Sequence, residues 1–245
     1  MKRLGFYRTI IIALLASSVL FFIIQQLIFR DIRSTLFYFL QDFLFLPLNI
    51  LFVTFILNKI IVSREKKDRL EQINIVIGAF FFEAGTGAIE LLNPFMPDSG
   101  EVGRLLDMDP GWSDKDFEAA ALKVKSMTRR ARLGERELAT LKEGLCGKKD
   151  RILQMFANPN LLEHDTFTET LWALYHFIDE LQNRDDLAGL PEPDLEHLSN
   201  DAARAYGLLV YEWVIYMKYL KRRYPYLWSM AARKNPFAEN SVIIT

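Results

Sequence analysis

The chain has a single cysteine, Cys146, among its 245 residues, which excludes an intrachain disulfide. That thiol reads most simply as a small apolar residue of a reducing compartment, while Lys148 and Lys149 nearby leave a reactive thiol open as the alternative. Histidine is nearly as scarce: His164, His176 and His197 are the whole set. None stands in a His-Glu-x-x-His pair or in the Glu-x-x-His spacing of di-iron bundles, so no metal ligands are expected from spacing. Asp194 and His197 lie close together, but with Pro193 beside the acid they read as helix-start residues. Walker loops, Gly-x-Ser-x-Gly elbows and dinucleotide fingerprints are missing as well. The Gly85-Thr86-Gly87 fragment lacks both a preceding strand and a Gly-Lys-Ser/Thr ending. The expectation is a chain with no catalytic residues, no cofactor and no metal. Strand-type alternation is confined to 241–244, which leaves an all-α reading.

Charge is also missing, but only in places. Between Arg8 and Arg30 the 21 residues "TIIIALLASSVLFFIIQQLIF" carry none, enough to cross a hydrocarbon core of ~30 Å at ~1.5 Å per residue. The apolar run continues well past Ala16-Ser17-Ser18, so it reads as an uncleaved anchor rather than a signal peptide. A second run, "LFYFLQDFLFLPLNILFVTFILN", ends before the charged segment that begins at Arg64. Counting back from Val62, with Lys59 reaching to the surface, gives a span over 43–62. Lys2, Arg3 and Arg8 flank the first span and Lys59, Arg64, Lys66, Lys67 and Arg69 follow the second, against Arg30 and Arg33 between them. The positive-inside rule then places both ends in the cytoplasm of a cell inner membrane, with a short hairpin outside.

That second run carries Gln41, Asp42 and Asn49, and Pro47 follows the acid. Proline is tolerated in a first helical turn, so Asp42 reads as an acid at the start of the helix, favoured by its dipole and within reach of headgroup water. A buried pair with Arg33 and a polar path through the membrane stay open.

Through Ser63 the chain has six positive and two negative residues, which leaves 24 positive against 29 negative beyond it. A mildly acidic remainder has no footprint for nucleic acid. Segment 64–112 reads as a juxtamembrane helix, with Leu70, Ile73, Ile77, Phe80, Ala84, Ala88 and Leu91 at helical spacing, followed by a Pro/Gly-rich connector. Gly78, Gly85 and Gly87 mark close packing or a break in it, and Phe80, Phe81 and Phe82 read as packing residues.

From 113 to 240 a helical domain is expected. Ser113 and Asp116 start a charged helix running to about Leu133, and Glu135 to Phe156 forms another. Thr166 and Glu169 have capping-box spacing ahead of Phe167, Leu171, Leu174, Tyr175, Ile178 and Leu181. "AYGLLVYEWVIYMKYL", holding Glu212 and Lys218, is too short and too charged for a third span and reads as a buried central helix. Its continuation mixes Lys218, Lys221, Arg222 and Arg223 with Tyr219, Tyr224, Tyr226 and Trp228, a composition that suits anionic lipid headgroups or the edge of a core.

The stretches "QDFLFLPLNILFVTFILNKIIVSREKKDRLEQINIVIGAFFFEAGTG", "NPNLLEH", "FTETLWALYHFIDEL" and "YPYLWSMAARKNPF" resemble a family of prokaryotic two-span membrane proteins of unknown function. The resemblance implies a membrane protein with a cytoplasmic helical domain and brings no activity with it. The fold class expected is therefore all-α: a two-helix transmembrane hairpin (1–63) and a cytoplasmic helical bundle. The function expected is a membrane-anchored interaction module acting as scaffold, sensor or regulator. Its alternative is an oligomeric channel or transporter subunit in which Gln41, Asp42 and Asn49 line a path. The partners are the lipid bilayer, anionic lipids at the C-terminal stretch, a protein partner and, for the alternative, further copies of the chain, but no nucleic acid.

Overall fold

In the computed structural model the described residues are 2–127, 130–159, 161 and 164–237, and every regular element among them is helical. The expected alternation at 241–244 lies outside the described residues. The chain divides into two units, 1–64 and 65–245.

The first unit is built from helix α1 (Lys2–Phe29) and the first part of helix α2 (Ile32–Phe80). Arg30, at φ 50°, adopts the left-handed conformation that turns the chain between them. Asp31 caps α2: one carboxylate oxygen accepts from the Arg33 and Ser34 amides at 3.0 and 3.2 Å, the other from the Ser34 hydroxyl at 2.6 Å. These bonds, the Ser34 hydroxyl first, hold the Asp31 carboxyl below its usual range. Gln26 Nε2 donates to Thr35 Oγ1 at 2.8 Å and ties the two helices beside the turn.

This cap corrects the reading of Asp42. Because α2 begins at Ile32, Asp42 and Pro47 both lie in its interior. Pro47 has no amide hydrogen and leaves the Phe43 carbonyl without its intrahelical donor, an interior position that costs about 3 kcal/mol. Ile10–Phe29 and Ile32–Glu65 are long and apolar enough to cross a membrane, by length and composition. Their apolar side chains are uncovered within the unit: Phe29, Leu44 and Phe55 are 72%, 71% and 71% exposed.

The second unit takes in the end of α2. Ile73, Ile77 and Phe80 are buried, as their spacing predicts. A π-helical turn (Phe81–Gly85) then inserts an extra residue and swings both Phe80 and Phe81 into the core, leaving Phe82 exposed. The Phe80 ring meets Phe167 edge-on at 5.4 Å, and the Phe81 ring stacks on Tyr216 at 5.3 Å. Gly85 is required there, since a Cβ would lie 2.6–2.9 Å from those two rings. Helix α3 (Thr86–Leu92), a 3₁₀ turn (Asn93–Phe95) and α4 (Ser99–Leu105) complete the segment. Segment 64–112, expected as juxtamembrane helix and connector, thus contributes Ile73, Phe80, Ala88, Leu92 and Leu106 to the same core as the later helices. Glu71–Phe95 is also long and apolar enough to cross a membrane, but 44% of its most apolar stretch is buried in this unit.

Helix α5 (Asp114–Ser126) begins as expected, the Asp116 carboxylate accepting from both the amide and the hydroxyl of Ser113 at 2.6 and 2.7 Å. It ends sooner than Leu133, and the expected 135–156 helix is split at Gly147 into α6 (Glu135–Cys146) and α7 (Lys149–Phe156). Helix α8 (Asp165–Gln182) is capped not by Thr166 but by the His164 ring, whose Nδ1 accepts from the Phe167 amide at 3.2 Å. Helix α9 (Glu192–Arg223) is the buried central element, packed against α3, α5, α8 and the closing helix α10 (Pro225–Arg233).

Candidate functional site

Helices α8 and α9 form an antiparallel pair across the loop 183–191. Residue pairs 184–194, 180–197 and 176–201 recede from that loop in step. The loop is held by Arg184, whose Nε and Nη2 grip the Asp194 carboxylate at 2.9 and 2.7 Å while Nη1 donates to the carbonyl and carboxylate of Glu180. That fork of hydrogen bonds keeps the Asp194 carboxyl below its usual range. Gly189, at φ 72°, takes a left-handed turn that favours glycine, and its amide donates to Glu135 at 2.7 Å.

One to two turns beyond the Arg184 lock, histidines and acids meet. Each helix presents a histidine with a carboxylate four residues on: His176 and Glu180 on α8, His197 and Asp201 on α9. Asp201 Oδ2 lies 3.3 Å from His176 Nε2 and 3.4 Å from His197 Nε2, and Glu180 Oε2 lies 4.0 Å from His197 Nε2. Asp201 is only 6% exposed, while both histidine side chains are about half exposed. Arg204 Nη2 donates to Asp201 Oδ1 at 2.7 Å, which turns the other oxygen toward the rings. Oδ2 has no hydrogen bond of its own. Two imidazole nitrogens and a carboxylate oxygen thus lie within 4.8 Å of one another, a donor set able to hold a cation.

The residues singled out from the sequence fall elsewhere. Gln41, Asp42 and Asn49 are exposed on α2, with Asp42 and Asn49 two turns apart on one face and Gln41 about 100° round the helix. The basic stretch, whose composition suits anionic lipid or the edge of a core, is largely engaged inside its own domain. Lys218 pairs with Glu118 at 2.6 Å, Arg223 with Glu71 at 2.6 Å, and Lys221 donates to the Pro110 and Trp112 carbonyls at 2.7 and 2.6 Å. Trp228 is 7% exposed beneath Lys221, whose ammonium sits 4.7 Å from its ring. Arg222 alone of the four cations is exposed without such a bond among the described residues. Sequence spacing missed the His176–His197–Asp201 cluster, although a histidine followed four residues later by an acid occurs on both helices.

Residues 69–233 match the family model described as "Uncharacterized protein MJ1433, C-terminal helical domain", and residues 2–61 match "MJ1433, N-terminal helical domain". The chain belongs to the MJ1433 family. It is 39% identical over 235 residues to "Uncharacterized protein MJ1433" of Methanocaldococcus jannaschii, across 96% of this chain and 94% of that one. No solved structure matches. The C-terminal MJ1433 match takes in the whole of the α8–α9 pair, and with it the cluster.

Proposed function

We propose that this MJ1433-family chain is an integral membrane protein whose N-terminal hairpin tethers a cytoplasmic helical domain, and that the domain works through interaction, as a scaffold, sensor or regulator. The observation that carries the reading is the bare apolar surface of the hairpin: no residue in the most apolar stretches of Ile10–Phe29 and Ile32–Glu65 is buried. In water such a surface drives aggregation; in lipid it is at home. The charge layout orients it, with cationic flanks at both cytoplasmic ends.

The early start of α2 changes where its polar residues lie in this reading. Ile32–Glu65 holds 34 residues, and at ~1.5 Å per residue it exceeds a core of ~30 Å, so the helix tilts or extends past the surface. With Lys59 at the cytoplasmic boundary, Asp42 is 17 residues away, ~26 Å along the helix, which keeps the acid near the outer face by depth. Asn49 falls in the middle.

Tag accessibility in intact cells tests the topology. Tags at either terminus should stay unlabelled from outside, and the chain should remain with membranes through alkaline washing. A C-terminal tag labelled from outside, or release by the wash, overturns the reading. Ion flux from reconstituted oligomers that is abolished by Asp42→Asn would move the channel reading to first place.

A further inference from the structure

We infer that His176, His197 and Asp201 form a binding site for a divalent first-row transition metal, with zinc as the best match to the donor set. The ligands would be the two Nε2 atoms and Asp201 Oδ2, with water in the remaining position. Two imidazoles and one carboxylate suit zinc and its neighbours and not magnesium or calcium, which take oxygen. The spacing fits. With metal–ligand bonds of about 2.0–2.1 Å, the ligand atoms of a tetrahedral site lie about 3.3–3.4 Å apart. The two His–Asp distances are 3.3 and 3.4 Å.

Asp201 supplies an independent observation. A carboxylate 6% exposed is expected to satisfy both oxygens, yet Oδ1 takes the Arg204 bond while Oδ2, facing the two rings, has none. Hydrogen bonds from the imidazoles would run to about 2.7–3.2 Å, and the observed separations are slightly longer. A metal bound by Asp201 Oδ2 and the two Nε2 atoms, which all lie within 4.8 Å of one another, would satisfy the orphan oxygen. Arg204 has the role that carboxylate ligands commonly need, a partner on the non-ligating oxygen. Its charge works against a cation, but its side chain is 54% exposed and therefore screened by water. Glu180, whose carboxylate is held by Arg184 at 2.7 Å, borders the site and leaves the open position to solvent.

The position in the fold gives such a metal a structural effect. It joins α8 to the central helix α9 within about two turns of the loop lock, so binding reinforces the register that the Arg184 fork sets. The site also opens outward, since both histidines are half exposed, so a ligand in solution reaches the metal directly.

Cobalt(II) titration of the full chain in detergent, after stripping with a chelator, tests the site. The expected result is one equivalent bound with the intense visible bands of four-coordinate cobalt, displaced by zinc, and a zinc-dependent rise in melting temperature. Loss of a partner behind a ligand already lowers affinity about 10–100-fold, so His176→Ala and His197→Ala should each lower it at least that much while the helical circular dichroism is unchanged. His164→Asn, which keeps a cap acceptor at α8, should bind cobalt as wild type does. Absence of those bands in the wild-type protein, or binding unaffected by either alanine, overturns the inference.

Discussion

Glu212 is the group whose removal is expected to change stability with the clearest dependence on pH. It sits in the middle of α9, 1% exposed, and neither carboxylate oxygen has a well-formed hydrogen bond, the Thr166 hydroxyl approaching only as a weak partner. Burial pushes its carboxyl above the ordinary value of 4.5, with Thr166 and His164 pulling less strongly the other way. Because the folded protein holds this proton more tightly than the unfolded chain does, the group's contribution is fully present below that ordinary value. It is lost as pH rises through the folded one, above which the penalty is constant. Glu212→Met removes both the titration and the unsatisfied oxygens at nearly the same volume. An unsatisfied buried polar group costs about 1–3 kcal/mol, and ~1 kcal/mol moves the melting point of a domain this size by about 2–4 °C. The variant should therefore melt roughly 2–12 °C higher than wild type at neutral pH, and the gap should narrow in mild acid. Glu212→Gln, which keeps the polarity but cannot ionise, should flatten the pH profile with a smaller gain. Thermal unfolding followed by circular dichroism between about pH 5 and about pH 9 reads all three proteins. Parallel pH profiles for wild type and Glu212→Met, or a variant less stable throughout, would refute the argument, because either means the carboxylate is ionised and held in the fold.

Gly85→Ala should destabilise the helical domain by about 1–3 kcal/mol in chemical denaturation despite alanine's better helix propensity, because the added Cβ would press on the buried Phe80 and Phe81 rings. Arg184→Ala strips Asp194 and Glu180 of their partner and should cost about 1–3 kcal/mol at neutral pH. Since Arg184 holds the Asp194 carboxyl low, wild type has stability above the ordinary carboxylate range that is lost on acidification, and the variant's acid limb should be shallower. Asn49→Asp places a charge well inside α2, where insertion scales assign about 2.5–3.5 kcal/mol, so membrane insertion should fall sharply while Asp42→Asn inserts normally. Equal insertion of the two would mean that face of the hairpin is wet.

Periodicity carried most of the fold. Spacing alone puts Ile73, Ile77, Phe80, Phe167, Leu171 and Leu174 on buried faces, and Glu212 and Lys218 within the sixteen-residue stretch 205–220 of α9 mark it for a core rather than a membrane. Boundaries were harder to read, for identifiable reasons. Pro47 reads as a helix start because proline belongs there, while the true start is marked by Asp31 and Ser34, an acid and a serine that look like the turn itself. At α8 the cap is an imidazole nitrogen, an acceptor outside the usual Ser/Thr/Asp/Asn set. The basic aromatic stretch suits lipid headgroups and the edge of a core equally well by composition. Its cations resemble a free face in sequence, and only the packing shows Lys218, Lys221 and Arg223 satisfied by Glu118, by two carbonyls and by Glu71.

The α8–α9 seam shows how a site can be spelled in a sequence and still escape a search by spacing. On α8 alone, His176 and Glu180 are a polar pair on a solvated edge; on α9 alone, so are His197 and Asp201. Bringing them together takes an antiparallel pair whose register is set elsewhere, by the Arg184 fork on Asp194 and Glu180 near the loop. A slip of one residue along either helix rotates it by about 100° and would carry its histidine off the shared edge, so the cluster depends on the lock as much as on its own residues. The two features differ in their partners. Arg184 brings its own counter-charges and closes the loop without help. Asp201 Oδ2 is left facing two nitrogens without a hydrogen bond, at distances beyond the usual ~2.7–3.2 Å N–H···O range and close to the edge of a coordination tetrahedron, and a cation is the species that completes that arrangement.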